Sequence, residues 1–447
     1  MFLQSQSQHQ GIFRRRLSQR LLVAACSPHL QQLKVLILLG MLLLSGCVKL
    51  SGNSWYKGPP ERPQSMLDYY AVSNSYTGYR EEIEATTDDY VWKHITIDTN
   101  AGPVVVDYFD TRQKSPNLVF VFPVLGGKLF IEKHIATFFA ERGIDAAIVN
   151  RNNEFKDPGN FDNLEEIFRQ NVIRDRLAID FFENEQGKSH FGTFGISRGG
   201  INVALTAGVD PRLKHNVMVL GGTDLVDLFH DSNQPRIKKY IKSVMEQKQI
   251  SEPAFFDLLR KSLRTDPKNT AHYIDGRNTL LILGIFDRTV PFTYGMQLRD
   301  QIGRPPTVFL LADHYVGLLY TQTISILPPS KEGGLFPFPY IEEEAVTFFR
   351  DAFGTGSNWA IYPYRLFQAP LNLICEVVGS IGAVIESAFD GNSSDERPLQ
   401  ESFWESVARK EGALPVDPQV SADVAPLVSV TPVPPCQART GIETGYP

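Results

Sequence analysis

Cysteine is scarce in this chain, with four in 447 residues, too few for a disulfide scaffold. A basic excess is also missing. The 44 lysines and arginines face 50 aspartates and glutamates, a net charge of −6, which argues against a nucleic-acid partner because phosphate binding needs a basic footprint. No internal repeat is present, and His94, His134, His190, His215, His230 and His272 show no tight metal-ligand spacing. What the chain does have is 43% hydrophobic and 11% aromatic residues, enough to bury a large core, so it is neither disordered nor collagen-like. At about 150 residues per domain the length allows up to three domains, although α/β folds often exceed that size as one unit.

The first 34 residues carry Arg14, Arg15, Arg16, Arg20 and Lys34 and no acid, and an apolar run over 35–44 follows. That run is half of the ~20 residues needed to span a bilayer, so the segment reads as an export signal. Its end, Leu44-Ser45-Gly46-Cys47, resembles the lipobox of bacterial lipoproteins. The resemblance implies cleavage after residue 46, acylation of Cys47 and an anchor in the lipid bilayer, stable because several acyl chains insert together. Val48 stands where many lipoproteins retained at the inner membrane have aspartate, so the expected location is the cell envelope, at the outer membrane facing the periplasm. Cys26 follows small residues but has almost no apolar run before it, and the triple arginine lies far from the apolar run, which disfavours twin-arginine export. Loss of residues 1–46 leaves 39 basic residues against 50 acidic ones, a net charge of −11. Cys375 and Cys436 then remain beside Cys47, and an oxidising compartment would permit their pairing.

Residues 47–62 are rich in Gly, Ser, Asn and Pro and read as a lipidated tether. Strand-like stretches over 91–98 and 104–109 flank Ala101-Gly102-Pro103 and suggest an antiparallel pair. Short apolar runs at 118–122, 146–149, 190–194, 217–220, 280–283 and 308–311 fit strands buried on both faces of a parallel sheet. A helix over 164–182 is opened by Asp162-Asn163 with Glu165-Glu166 in its first turn. The alternation predicts an α/β domain over 63–353 with a mostly parallel central sheet flanked by helices. Residues 223–277 are too long for a simple crossover and hold two helical pieces, 239–249 and 253–263, so they read as a cap or lid. An amphipathic helical extension is expected over 354–411, its stripe formed by Leu373, Val377, Ile381, Val384 and neighbours, followed by a disordered Pro-rich tail over 412–447.

The strand at 190–194 runs into Gly195-Ile196-Ser197-Arg198-Gly199-Gly200, with a helical stretch over 201–207 beyond it. This Gly-x-Ser-x-Gly turn exposes a serine oxygen above a sheet, and the glycines supply room that side chains would fill. A serine hydroxyl is a poor nucleophile unless a base takes its proton and an acid orients that base. Asp287 follows one apolar run, in Asp287-Arg288-Thr289-Val290-Pro291, and His314 follows the next. Residues in these positions gather at the carboxyl edge of a parallel sheet. Asp313 is a rival acid, disfavoured because a sequence neighbour rarely turns back onto the imidazole. Asn150-Arg151-Asn152-Asn153, after a strand-like run, is expected to be a solvated loop, with lining of the pocket rim as the alternative.

Residues 90–353 resemble the α/β-hydrolase superfamily in the Ser, Asp, His order, in the Asp-x-x-Val-Pro turn and in the histidine after the last strand. The resemblance implies that Ser197 is the nucleophile, His314 the general base and acid, and Asp287 the orienting carboxylate. It also implies an oxyanion hole built from the Arg198 N–H and a second N–H in Pro123-Val124-Leu125-Gly126-Gly127. The second donor lies between Val124 and Leu125, with Leu125 preferred. The expected activity is cofactor-free, metal-free hydrolysis of a small carboxylic ester through an acyl-enzyme. The alternatives are a serine peptidase, because Gly-Ile-Ser-Arg-Gly-Gly also resembles the serine loop of prolyl-oligopeptidase relatives, and a non-catalytic lipoprotein that keeps the fold.

Overall fold

The structure is a computed structural model that describes residues 52–72, 76–100, 102–125, 128–321, 339–362, 364–365, 372, 403–404 and 406–407. The signal segment, Cys47, the stripe from Leu373 onward, Cys375, Cys436 and the 412–447 tail lie outside the described residues. Among the described residues no helix is long and apolar enough to cross a membrane.

The strands are β1 Gly78–Thr86, β2 Val91–Asp98, β3 Val104–Asp110, β4 Asn117–Phe122, β5 Ala146–Val149, β6 His190–Ile196, β7 Leu213–Val219, β8 Thr279–Gly284 and β9 Thr307–Leu310. They form one sheet in the order β1-β2-β3-β5-β4-β6-β7-β8-β9. β1, β2 and β3 are antiparallel, as is the join of β3 to β5, whereas β5, β4 and β6 to β9 run parallel. Every residue of β4, β5 and β8 is buried, which is why their sequences read as unbroken apolar runs. β1 has no such signature. Its Gly-Tyr-Arg-Glu-Glu-Ile-Glu-Ala-Thr sequence is almost wholly exposed, and its charges suit an edge that must not pair further.

The helices are α1 Gln64–Tyr69, α2 Phe130–Ala140, α3 Leu164–Asn184, α4 Arg198–Val209, α5 Leu225–Asp231, α6 Pro235–Lys248, α7 Glu252–Ser262, α8 Pro267–Thr270, α9 Phe292–Gln301 and α10 Tyr340–Phe353. Leu177, Phe182, Val203 and Leu298 from α3, α4 and α9 pack on one face of the sheet. Ile135, Phe139, Val346 and Phe349 from α2 and α10 pack on the other. α3 starts after a 3-10 turn, Pro158–Asn163, and Asn163 makes no side-chain cap. Glu165 in its first turn instead accepts the Arg264 and Thr265 N–H groups at 2.7 and 2.8 Å, tying this helix to the chain leaving the cap.

The cap is α5, α6 and α7, inserted between β7 and β8. The tether expectation needs correction at 52–62, which lies against the domain. Asn53 N–H donates to the Arg304 carbonyl at 3.0 Å, Tyr56 Oη to the Ile274 carbonyl at 3.2 Å, and Arg62 to the Gly208 and Ala207 carbonyls at 2.8 and 3.0 Å. One backbone and two side-chain donors in a Gly/Pro-rich stretch thus find carbonyls of the domain that composition alone does not reveal. From the far end of the chain, Trp404 is fully buried against Tyr69 and Tyr70 and donates to the Asn269 carbonyl at 2.9 Å.

Candidate active site

The sharpest backbone feature is the junction of β6 and α4. Ser197 has φ 57° and ψ −122°, a conformation that costs a non-glycine residue roughly 1–3 kcal/mol and clusters at functional sites. The flanking glycines make the turn sterically possible. A Cβ on Gly195 would lie 2.2 Å from the Gly199 carbonyl carbon, and one on Gly199 would lie 2.4 Å from the Phe122 carbonyl oxygen. The turn is locked by Ser197 N–H donating to the Val219 carbonyl at 2.8 Å, so the serine oxygen stands at the carboxyl edge of the sheet.

The loops after β8 and β9 bring two further side chains to that edge. His314 Nε2 lies 2.9 Å from Ser197 Oγ, and His314 Nδ1 lies 2.7 Å from Asp287 Oδ2. Both partners of the serine are buried, Asp287 5% and His314 8% exposed. The Asp-Arg-Thr-Val-Pro turn has a visible purpose, because Asp287 Oδ1 accepts the Thr289 and Val290 N–H groups at 2.8 and 3.0 Å. These two donors fix the carboxylate so that its other oxygen faces the imidazole. Asp313 is engaged elsewhere, since its carboxylate accepts the Tyr315 and Val316 N–H groups of its own turn at 2.9 and 2.7 Å.

One feature of the rest of the site is not legible in any motif. Glu132 of α2 is buried and accepts the Val124 N–H at 2.6 Å. Burial raises its pKa, opposed by the hydrogen bond from Val124. The Val124 N–H is therefore engaged within the protein, and Leu125 lines the same cavity as Ser197. Gly126 and Gly127 lie outside the described residues. Arg198, at the first position of α4, is the second expected donor, and helix N-termini favour developing negative charge.

Ser197, Arg198 and Leu125 border one cavity of about 750 Å³, within the usual range for small-molecule sites. Its apolar wall includes Phe168, Leu205, Leu225, Phe229 and Phe255, so α5 and α7 of the cap roof it. The solvated-loop reading of 150–153 is corrected at Arg151, which is buried in the cavity wall, paired with Asp175 and bonded to Thr206 Oγ1 at 3.1 Å, whereas Asn153 is exposed. Asn153 Oδ1 accepts from the Arg198 guanidinium at 2.9 Å. Among the described residues no group of three or more His, Cys, Asp or Glu side chains could hold a metal ion.

Strand order, the strained serine between strand and helix, and an acid and a histidine on the following strand ends together make this an α/β-hydrolase fold. No family model and no curated protein matches the chain. Among solved structures it is similar to acetyl xylan esterase 1 from Thermoanaerobacterium sp. JW/SL YS485, at 14% identity and a TM-score of 0.45, covering 58% of this chain and 91% of that one. An acetyl xylan esterase from Paenibacillus sp. R4 matches at 16% identity and a TM-score of 0.44, covering 57% and 92%. The acylaminoacyl peptidase of Pyrococcus horikoshii matches at 14% identity and a TM-score of 0.43, covering 61% of this chain and 43% of the peptidase. Likenesses this distant say nothing about substrate, and the fold rests on the geometry of the chain itself.

Proposed function

We propose that the protein is a serine hydrolase that cleaves carboxylic esters through an acyl-enzyme on Ser197. The observation that supports it is the run of two hydrogen-bonding distances, 2.9 Å from Ser197 to His314 and 2.7 Å from His314 to Asp287, in the order nucleophile, base and orienting acid. With Nδ1–H donated to Asp287, His314 Nε2 is free to take the serine proton as Oγ attacks the ester carbonyl. The oxyanion of the tetrahedral intermediate is received by the N–H groups of Leu125 and Arg198. Collapse breaks the C–O bond, and the alcohol leaves with the proton from His314. Water then repeats the cycle on the acyl-serine, releasing a carboxylic acid. None of these steps requires a cofactor.

A fluorophosphonate probe tests this reading. Wild type should be labelled and Ser197→Ala should not. Equal labelling of both, or none of the wild type while a control hydrolase reacts, refutes it. Aryl esters run beside peptide amides decide between ester hydrolysis and the peptidase alternative. We further propose that Cys47 is acylated and anchors the protein at the envelope, on the strength of the basic, apolar and small-residue succession that ends there. Cys47→Ala should remain unprocessed or soluble, and normal lipidation of that variant rules the anchor out.

A further inference from the structure

The cavity wall carries polar groups that the protein itself leaves unmet. Both ends of the Asn171 amide are bonded to the Asn152 backbone, at 2.9 and 3.1 Å, and Thr289 Oγ1 donates to Asn233 Oδ1 at 3.0 Å. Asn202 differs: its Nδ2 is buried and has no hydrogen-bonding partner among the described residues. The same is true of Tyr240 Oη on α6 and of Arg151 Nε. All three residues border the cavity, and all three atoms can donate. Asp175 Oδ1 is unmet as well, but Asp175 does not border the cavity.

Asn202 belongs to the cavity-facing stripe of α4, where Arg198, Ile201, Asn202 and Leu205 recur at helical spacing and all border the cavity. It is 5% exposed, in a helix interior where asparagine is a poor former. A buried amide donor without an acceptor destabilises a fold, so an unmet one beside the nucleophile calls for a reason. At the rise of an α-helix, Asn202 stands about 7–8 Å along the axis from Ser197. Leu164, Phe168, Ile241 and Phe255 supply apolar wall to the same cavity. Tyr240 keeps its proton at neutral pH, because burial first and then Asp157 and Asp162 raise its pKa to about 12. The charge of Arg151 is already matched by Asp175. The acceptor that these donors lack therefore needs no charge of its own.

We propose that the substrate is an ester whose chain carries a neutral oxygen, a ketone carbonyl or a hydroxyl, several carbons from the scissile bond, and that Asn202 and Tyr240 select it by hydrogen bonding. This rests on the hydrolase reading only for the statement that the bound molecule is an ester. The apolar wall takes the hydrocarbon on either side of that oxygen. A site made to bond a substrate oxygen rejects the analogue without it, because its own buried groups then stay unpaired. Neither Asn202 Nδ2 nor Tyr240 Oη is bonded to the serine, the histidine or the aspartate, so the two sort substrates without touching the reacting bond.

The test uses the full-length protein in nonionic detergent with two series of esters. One is the aryl ester of octanoic acid beside analogues with a ketone on carbon five, six or seven, or a hydroxyl on carbon seven. The other places the same oxygens in the alcohol, as acetates of octanol and its analogues. In one series an oxygenated ester should exceed its hydrocarbon parent in kcat/KM by about tenfold, with the gain shrinking as the oxygen moves along the chain. Asn202→Leu should bring that ratio to about one, and Tyr240→Phe should lower it by about threefold. Equal kcat/KM for parent and oxygenated esters in both series, or a ratio untouched by Asn202→Leu, overturns the proposal. A ratio untouched by Tyr240→Phe overturns the part assigned to Tyr240. Calorimetry on Ser197→Ala with the same esters removes any dependence on turnover. Tighter binding of an oxygenated ester that disappears when Asn202→Leu is added supports the site even if no ester is hydrolysed and the fluorophosphonate fails. No preference in either series overturns it, whatever the activity.

Discussion

Two helices facing the same cavity could hardly differ more in how they are held. In α4, which carries the strained serine at its start, eleven of twelve residues are buried. In α6, which roofs the opposite side, Val244 is the one fully buried residue among fourteen. Packing therefore assigns α4 to a more stable part of the molecule and α6 to a part that opens at lower free energy. The polar groups follow the same division. At the strand ends each one has a fixed partner, with Asp287 meeting two N–H groups and one imidazole. On α6, Lys242 and Lys248 pair with Glu246 and Asp162 near the surface, while Arg236 and Lys239 are exposed. The chemistry is placed where geometry cannot drift, and the exposed charges are placed where side chains remain adjustable.

The division can be broken most strongly at Asp287. Asp287→Asn keeps the Oδ1 that accepts from Thr289 and Val290 but removes the charge that orients His314, so kcat should fall by about ten-thousandfold with little change in the unfolding midpoint. A comparable activity in the variant would mean that His314 is oriented by something else. Gly199→Ala attacks the same edge through its backbone. Its new methyl would sit 2.4 Å from the Phe122 carbonyl oxygen, so the elbow must shift, with about 1–3 kcal/mol lost in denaturant unfolding and activity lost with it. Ser243→Ala on α6 is the matched change on the other side of the cavity, and it should leave both quantities nearly unchanged.

A smaller effect sharpens the comparison at Glu132, which belongs to the packed side but touches no reacting atom. If its role is to hold the Val124 N–H and so aim the next peptide at the oxyanion, Glu132→Ala should lower kcat by about ten- to a hundredfold, less than loss of a direct oxyanion donor. KM should change little. Glu132→Gln, which keeps an accepting oxygen, should restore most of the rate. Equal losses in the alanine and glutamine variants would show that the carboxylate charge, rather than its hydrogen bond, is what the loop uses.

The same division explains which parts could be read before folding. β4, β5 and β8 are legible because strands buried on both faces must be apolar throughout. The serine turn is legible because only glycine fits at 195 and 199. β1 was illegible, since an exposed edge strand carries the charges of a loop. Glu132 gives no signal either, because only the packing of α2 brings it to Val124. The basic face of α6 is visible in Arg236, Lys238, Lys239 and Lys242 as a solvated helix. Which of these border the cavity is decided by how the cap sits, and the local sequence does not record it.

The subtlest test concerns the joint between the two regions. Asp266 is fully buried where the chain returns from the cap, and its carboxylate accepts the Leu225 N–H at 2.7 Å and the Lys268 N–H at 2.9 Å. It thus ties the entry of α5 to the start of α8. Burial raises its pKa from 3.8 to about 6, against the lowering effects of Lys268 and these hydrogen bonds. A carboxyl raised on folding binds more protons in the native state than in the unfolded one between those two values. Its contribution is therefore most favourable below about pH 4 and declines as pH rises to about 6, by at most ~3 kcal/mol. Asp266→Asn cannot titrate and loses one of the two acceptors, so it should be less stable than wild type at acid pH. The gap should narrow as pH rises through this window. Urea unfolding of both proteins across the window measures it, and a gap that stays constant would mean that the joint carries a charged carboxylate at every pH and that its two N–H donors, not burial, dominate.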